Sequence, residues 1–372
     1  MHLLQVIWRQ LSMATSHLGR ALRAGAATAV VMAGLTFSPG AASGANGITL
    51  EVNGLNGPRG VAVGPAGRIV YSESDGTVSR VTGAGNKQKI DVLANVTPGF
   101  APAVSTVRGT TWILTTGGAP GTGAGTLYRW TAMSQEATPL ADIQAYQLTD
   151  PDPEPLDGDA FDSNPFGVQG LPDGSALVAD AAGNDLLRVY PDGDIVTVAR
   201  IKPRTVLSPD FLPDPPPGTP IPSEGVATSV TLGSDGYYYV GELRGFPATP
   251  GTSQIWRIAP DAVGAVCDPE APDTGDCTRY ADGFTSIFDL APGPDGSMYV
   301  LEFNKDSWLA FESGVADPFG GLFRIPAGGG AATELVPDQL ILPGGMDVSP
   351  KGEIFVTEPV FGKGALVRVT TG

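Results

Sequence analysis

Carboxylates recur at one place in this sequence. Glu73, Asp180, Glu242, Glu302 and Glu358 each close a short apolar run (IVYSE, ALVAD, YYVGE, MYVLE, IFVTE), and only WILTT, ending at Thr116, breaks the series. Crowded carboxylates either bind a cation or split their pKa values into an acid and a base. An acid repeated in nearly every unit has a plainer use, capping its own loop or pairing with an arginine, and that use is expected for most of the column. Departures from the repeat are sharper leads. Where other segments place Gly60, Gly167, Ser229 or Gly345, the segment DLAPGPDG places Asp289, and Asn164, Arg59 and Thr228 approach the same point. Oxygen ligands converging there suit Ca²⁺, with Asp289, Asn164 and Glu242 as candidate ligands and Asp289 or Glu302 as candidate catalytic carboxylates. The alternative is one buried aspartate satisfied by neighbouring backbone N–H groups.

Other chemistry is excluded by what the chain lacks. Residues 1–45 read as an export signal: Arg9, Arg20 and Arg23 with no acid, an apolar core from Ala26 to Phe37, then small residues through Ala45. The basic region is long for a signal, and a start at Met13 gives a more usual length. The apolar core is too short to span a bilayer, and no cysteine stands ready for a lipid anchor. Both histidines, His2 and His17, lie in this segment. The mature chain then has none, which excludes Ser-His-Asp catalysis, Cys-His nucleophiles and histidine-bound zinc. Removal of three of the 22 basic residues leaves 19 against 39 acids, a net charge of −20. A surface that acidic repels phosphate backbones, so nucleic acid is not an expected partner. Cys267 and Cys277 share one loop, AVCDPEAPDTGDCTRY, and in an exported protein read as a local disulfide. The acidic loops at 150–159 and 268–276 read as solvated.

The elements that must position these residues are short strands. Six segments share one form, an inner strand and a tight turn ending at Gly67, Gly109, Gly174, Gly236, Gly296 or Gly352, a second strand, a loop and a third strand. That third strand carries an arginine in every unit: Arg80, Arg129, Arg188, Arg257, Arg324 and Arg368. Recurrence of antiparallel units without a helical pattern between them predicts an all-β, six-bladed β-propeller over 46–372, expected as a single domain and a monomer. The last unit stops after its third strand while an orphan strand, Ile48 to Val52, opens the mature chain. The N-terminal strand is therefore expected to complete the sixth blade. The long insertions, 117–125, 142–163, 202–224, 243–253 and 303–321, all fall on the face opposite the tight turns, which makes the channel mouth there the candidate site.

ADIQAYQ (141–147), DSNPFGVQGLPDG (162–174), LVADAAGNDLLRV (177–189), ATSVTLGSDGYYYVGELRGFP (227–247) and DLAPGPDGSMYVLE (289–302) resemble the ScyD/ScyE propellers, named after cyanobacterial scytonemin biosynthesis. The similarity runs from about residue 48 to the C-terminus. More distantly the blades are similar to NHL repeats, whose acid and arginine positions are mainly structural. The resemblance implies an exported six-bladed propeller and brings no catalytic residue set; the lyase propellers that rely on histidine are out of reach of this chain. Two functions remain. One is a binding module for a small molecule or protein partner on the insertion-rich face, using Arg59, Asn164, Thr228, Glu242, Asp289 and Glu302 with aromatic loop residues Phe246, Trp308, Phe311 and Phe319. The other is a calcium-dependent hydrolase or lactonase like the gluconolactonase-type propellers, in which a channel cation polarises a carbonyl and a carboxylate acts as base.

Overall fold

The computed structural model describes residues 47–371 apart from Pro65, Ala66 and Ala84 and the side chain of Asn86. The export signal expected over 1–45 lies outside the described residues. Six antiparallel sheets follow one another along the chain: blade 1 over 61–95, blade 2 over 103–142, blade 3 over 165–201, blade 4 over 227–284, blade 5 over 287–334 and blade 6 over 345–370. Inner strands of successive blades pack side by side around a ring, and blade 6 returns to blade 1. Each begins with a hairpin whose turn glycine has positive φ, as at Gly174 (90°) and Gly296 (84°), a conformation that a Cβ disfavours. Alternation then places the apolar set of each strand between blades: Leu177, Val240, Trp256 and Ile258 pack in one cluster spanning blades 3 and 4.

Closure follows the expected route. Strand Gly47–Asn56 pairs antiparallel with Lys363–Thr370, from Gly47 opposite Thr370 to Asn56 opposite Lys363, and is the outer strand of blade 6. Its Val52 and Leu55 pack against Val61, Ile69 and Tyr71 of blade 1 as well as Leu366 of blade 6. The latch therefore fastens two blades.

Five of the column arginines make ion pairs. Arg188, Arg257 and Arg324 reach the turn aspartates Asp173, Asp235 and Asp295 at 2.5, 2.9 and 2.6 Å, Arg368 reaches Glu353 in its own turn, and Arg80 reaches Asp91 on the outer strand. Partly exposed pairs of this kind contribute at most about 1 kcal/mol each. Four of them hold tight turns, on the face opposite the insertions, and Arg80 ties the third strand of blade 1 to its outer strand instead.

Three features depart from the expected pattern. Two single-turn helices, α1 (Ile143–Gln147) and α2 (Trp308–Glu312), interrupt the insertions where no helix was expected. They are too short to show a period; Asp142 and Ser307 start them by accepting from the N–H groups of Ala145 and Ala310. The proline-rich insertion holds a hairpin, Arg204–Leu207 against Pro220–Ser223, with its prolines on a two-stranded edge where no further ladder bond is needed. The Cys267–Cys277 disulfide is formed, but it does more than close a loop. Ala265–Cys267 adds to blade 3 as a fifth strand, parallel to Ile195–Ile201, whereas Cys277 opens the outer strand of blade 4. The bond ties neighbouring blades at their rims, a constraint worth roughly 2–3 kcal/mol for so short a loop.

Candidate functional site

The insertion-rich mouth of the channel is built from one position at the entry to each inner strand, which falls just ahead of the strand in blades 1, 2 and 6 and on its second residue in blades 3, 4 and 5. In chain order this position holds Arg59, Ala101, Phe166, Thr228, Phe288 and Gly344. In blades 3, 4 and 5 the ladder shifts register there, between Pro165 and Gly167, Ala227 and Ser229, and Ile287 and Asp289. An unpaired bulge residue is free to turn its side chain out of the sheet, and Phe166 and Phe288 do so towards a common aromatic cluster. Their rings meet edge to face with centroids 5.0 Å apart; Phe100 stacks on Phe166 at 5.7 Å, Phe303 stacks on Phe288 at 4.9 Å, and Phe311 and Phe361 pack on Phe303. Phe166, Phe288 and Phe303 are buried, while Phe100, Phe311 and Phe361 keep part of their surface.

Arg59 lies within this aromatic cluster. Its guanidinium sits 3.8 Å from the Phe166 ring centroid and 5.1 Å from that of Phe100, and donates to the carbonyls of Ala101 and Phe166. Burial pulls its pKa down to about 9, against the attraction of Asp289. Gly345 makes the neighbouring space: a Cβ there would meet the Arg59 carbonyl at 2.3 Å.

Asp289 uses both carboxylate oxygens on backbone. Oδ1 accepts from Leu290 N at 2.9 Å and Oδ2 from Met346 N of the next blade at 2.8 Å. It keeps some accessible surface, yet protein encloses it, and burial pushes its carboxyl up to about 7. Asp347 repeats the device one blade on, accepting from Val63 N at 2.6 Å and Val348 N at 2.7 Å. Blade 6 is thus held to both neighbours by carboxylates, and hydroxyls make similar joints around the ring: Ser72 donates to the Pro102 carbonyl, Thr228 to that of Ile287 and Thr357 to that of Arg59.

The acid column is dispersed around the ring rather than gathered. Asp180 accepts from Ser163 Oγ and from the N–H groups of Asn164, Ala182 and Gly183. Glu73, Glu302 and Glu358 accept from the N–H groups of Asn56, Thr285 and Ile341, each in the segment entering the acid's own blade. Glu242 has a buried partner that the sequence did not flag, Arg244, and also accepts from Trp256 Nε1 at 2.6 Å and Gln254 N at 3.0 Å. Asn164 Oδ1 accepts from Gly117 N at 3.2 Å. The candidate cation ligands Asp289, Asn164 and Glu242 therefore each serve separate partners. Among the described residues no group of three or more His, Cys, Asp or Glu side chains is placed to hold a metal ion.

Of the aromatic residues flagged from the loops, Trp308 and Phe311 join the mouth through α2, Trp308 donating from Nε1 to the Arg244 carbonyl at 2.8 Å. Phe246 packs at the margin of the same cluster, and Phe319 bridges to Ile341. Phe100, Phe166, Phe288, Phe303 and Phe361 were missed. A signal for two of them existed, since Phe166 and Phe288 share a column with Arg59 and Thr228.

Burial of so many acids has a pH consequence. Besides Asp289, it raises Glu302 to about 8, Glu224 and Glu358 to about 7 and Asp347 to about 6. A carboxyl raised in the folded state contributes stability that is fully present below the unfolded pKa, near 4, and is lost as pH rises through the folded value. The melting temperature of residues 46–372 is expected to fall between pH 5 and pH 8, which a thermal melt series in constant ionic strength checks; a rise over that window contradicts it.

Fold and mouth together define a class, a six-bladed β-propeller whose loop-rich face carries a cluster of phenylalanines around one buried arginine. No family model and no curated protein sequence matches the chain. Solved structures that it resembles include a gluconolactonase from Xanthomonas campestris (11% identity, TM-score 0.55, 88% of this chain and 91% of that one). Others are the PQQ domain of a pyranose dehydrogenase from Coprinopsis cinerea (12%, 0.55, 88% and 96%) and a Bacteroides thetaiotaomicron protein of unknown function (10%, 0.55, 89% and 73%). At such identities the likeness is one of fold. No helix among the described residues is long and apolar enough to cross a membrane.

Proposed function

We propose that this chain is an exported propeller of the ScyD/ScyE type that acts as a binding module, holding a small apolar molecule or an apolar segment of a partner over its loop-rich face. One observation carries the reading: the carboxylates that could have done chemistry are occupied by backbone N–H groups or by Arg244, and the mouth presents Phe100, Phe311 and Phe361 instead. Half-buried rings on a rigid scaffold offer area without an ordering cost. Export is supported by the basic and apolar composition of residues 1–45 and by the Cys267–Cys277 bond, which persists in oxidising compartments.

The test uses mature protein, residues 46–372, and an environment-sensitive apolar dye. Binding that weakens at least tenfold in the Phe100→Ser, Phe361→Ser double variant, with the melting temperature followed in parallel, supports the reading. The hydrolase alternative is tested in the same preparation. A cation at 100 times its dissociation constant stabilises the folded state by about 2.7 kcal/mol. A calcium-dependent rise in melting temperature that Asp289→Ala abolishes, together with lactone or ester hydrolysis, overturns the binding module.

A further inference from the structure

The head of the acidic insertion is fastened to blade 3 by two side chains that are one hydrogen short. Gln147, the last residue of α1, and Asp185, at the start of the third strand of blade 3, are both fully buried. Gln147 Nε2 donates to Asp185 Oδ2 at 2.9 Å and reaches Asp180 Oδ2 at 3.5 Å. Its own Oε1 has no partner, and neither has Asp185 Oδ1. Leaving a buried acceptor unsatisfied is costly, and here two of them belong to groups already joined by one hydrogen bond. Turning the amide over gives no relief, because its oxygen would then face the oxygens of both aspartates.

The surrounding charges leave Asp185 without a committed counter-ion. Burial pushes the Asp180 carboxyl up, and the donors of Ser163, Asn164, Ala182 and Gly183 work against that shift. Arg200 is the cation on this side, but its NH2 pairs with Asp150 at 2.5 Å, while its NH1 stands 3.8 Å from Asp185 Oδ2 and has no hydrogen-bond partner of its own. Asp150 also accepts from Tyr146 and Thr197.

We propose that Asp185 keeps a proton on Oδ1 and donates it to Gln147 Oε1, closing a two-hydrogen-bond ring between a carboxylic acid and an amide that pins the insertion 142–163 to blade 3. One proton satisfies both orphan acceptors. Burial, then the neighbouring charge of Asp180, pushes the Asp185 carboxyl well up, in the same direction. The ring lies beside a second stitch: with its amide turned, Gln144 of α1 donates to the carbonyls of Ser163 and Gly118. Loss of the Asp185 proton at high pH sets a carboxylate against Asp180 and against the amide oxygen, and frees the insertion on the loop-rich face. The catch holds at low pH and opens as pH rises through the folded pKa.

Asp185→Asn tests this, because an asparagine reproduces the ring without a proton to lose. Above about pH 4, and up to the folded pKa of Asp185, the unfolding equilibrium constant of the wild type should rise with pH more steeply than that of Asp185→Asn, by a factor approaching ten per pH unit. The infrared difference spectrum between the two at neutral pH should show the carbonyl stretch of a protonated acid, and the hydrogen-exchange protection factors across 142–163, corrected for the intrinsic rise of exchange with pH, should fall at high pH in the wild type alone. Should the variant not fold, the pH titration of that infrared band in the wild type decides. Equal slopes, no acid band, or a Ca²⁺-induced stabilisation that Asp185→Asn removes would overturn the proposal, the last by placing a cation where the proton is assigned.

Discussion

A chain that begins at Gly57, without the strand Gly47–Asn56, is expected to lose cooperative folding. The deletion removes a complete ladder against Lys363–Thr370 and strips that strand to a bare edge. It also uncovers the apolar seam in which Val52 and Leu55 pack against Ile69, Tyr71, Phe355 and Leu366. Burial of a Val or Leu side chain contributes roughly 1.5–3 kcal/mol, so two such side chains and the lost ladder approach the 5–15 kcal/mol that holds a typical domain folded. An open ring also exposes edges that pair with other chains. Circular dichroism melts and size-exclusion chromatography should show a broad transition and aggregation. The register offers a rescue: because Gly47 lies opposite Thr370, the same ten residues appended after residue 370 through an Asn-Gly turn re-enter blade 6 as an ordinary hairpin. A permutant of this kind that melts like residues 46–372 in their natural order shows that the latch acts through pairing. A truncation that melts unchanged refutes the closure argument.

Glu242→Ala is the point substitution with the largest expected cost. Glu242 is 0% exposed and Arg244 1%. Burial pushes the Glu242 carboxyl up and the Arg244 guanidinium down, and their mutual attraction opposes both shifts. Arg244 also donates to the carbonyls of Thr252, Ser223 and Glu224 and to Gln254 Oε1, so it is fixed in place whether or not its counter-ion is present. Removing the carboxylate leaves a buried cation, and breaking a buried pair in this way costs about 3–5 kcal/mol. The melting temperature should fall by on the order of 5–10 °C. Replacing both partners, Glu242→Leu with Arg244→Met, should cost less than the sum of the single changes, since no lone charge remains. Additive single and double effects would show that the two side chains stabilise the fold independently.

The contrast between the column acids and Glu242 shows where sequence reading runs out. Glu302 and Glu242 stand at the same repeat position, and nothing local distinguishes MYVLE from YYVGE. In blade 5 the acid receives the N–H of Thr285, which the chain delivers from just before the same blade. In blade 4 Arg244 folds back through a positive φ of 69° to meet it. Asp289 was legible as a departure from the repeat. Its partner Met346 N is 57 residues away and became its neighbour only when blade 6 closed against blade 5.

The sequence by itself determined the six units, their turn glycines, the closing strand and the cysteine pairing. Each of these is written in residues a few positions apart, in the two-residue alternation of a strand or the φ that a tight turn demands, or in two half-blades that complement each other. The tertiary structure alone decided that the cysteines join two blades, that Arg59 sits against Phe166, 107 residues on, and that Gln147 and Asp185 meet at a buried site where one oxygen of each has no hydrogen-bond partner. Ring closure brings inner strands from distant parts of the chain within contact of one axis. The partners of Arg59 and of Asp289 Oδ2 are therefore set by blade-to-blade packing, which local pattern does not encode.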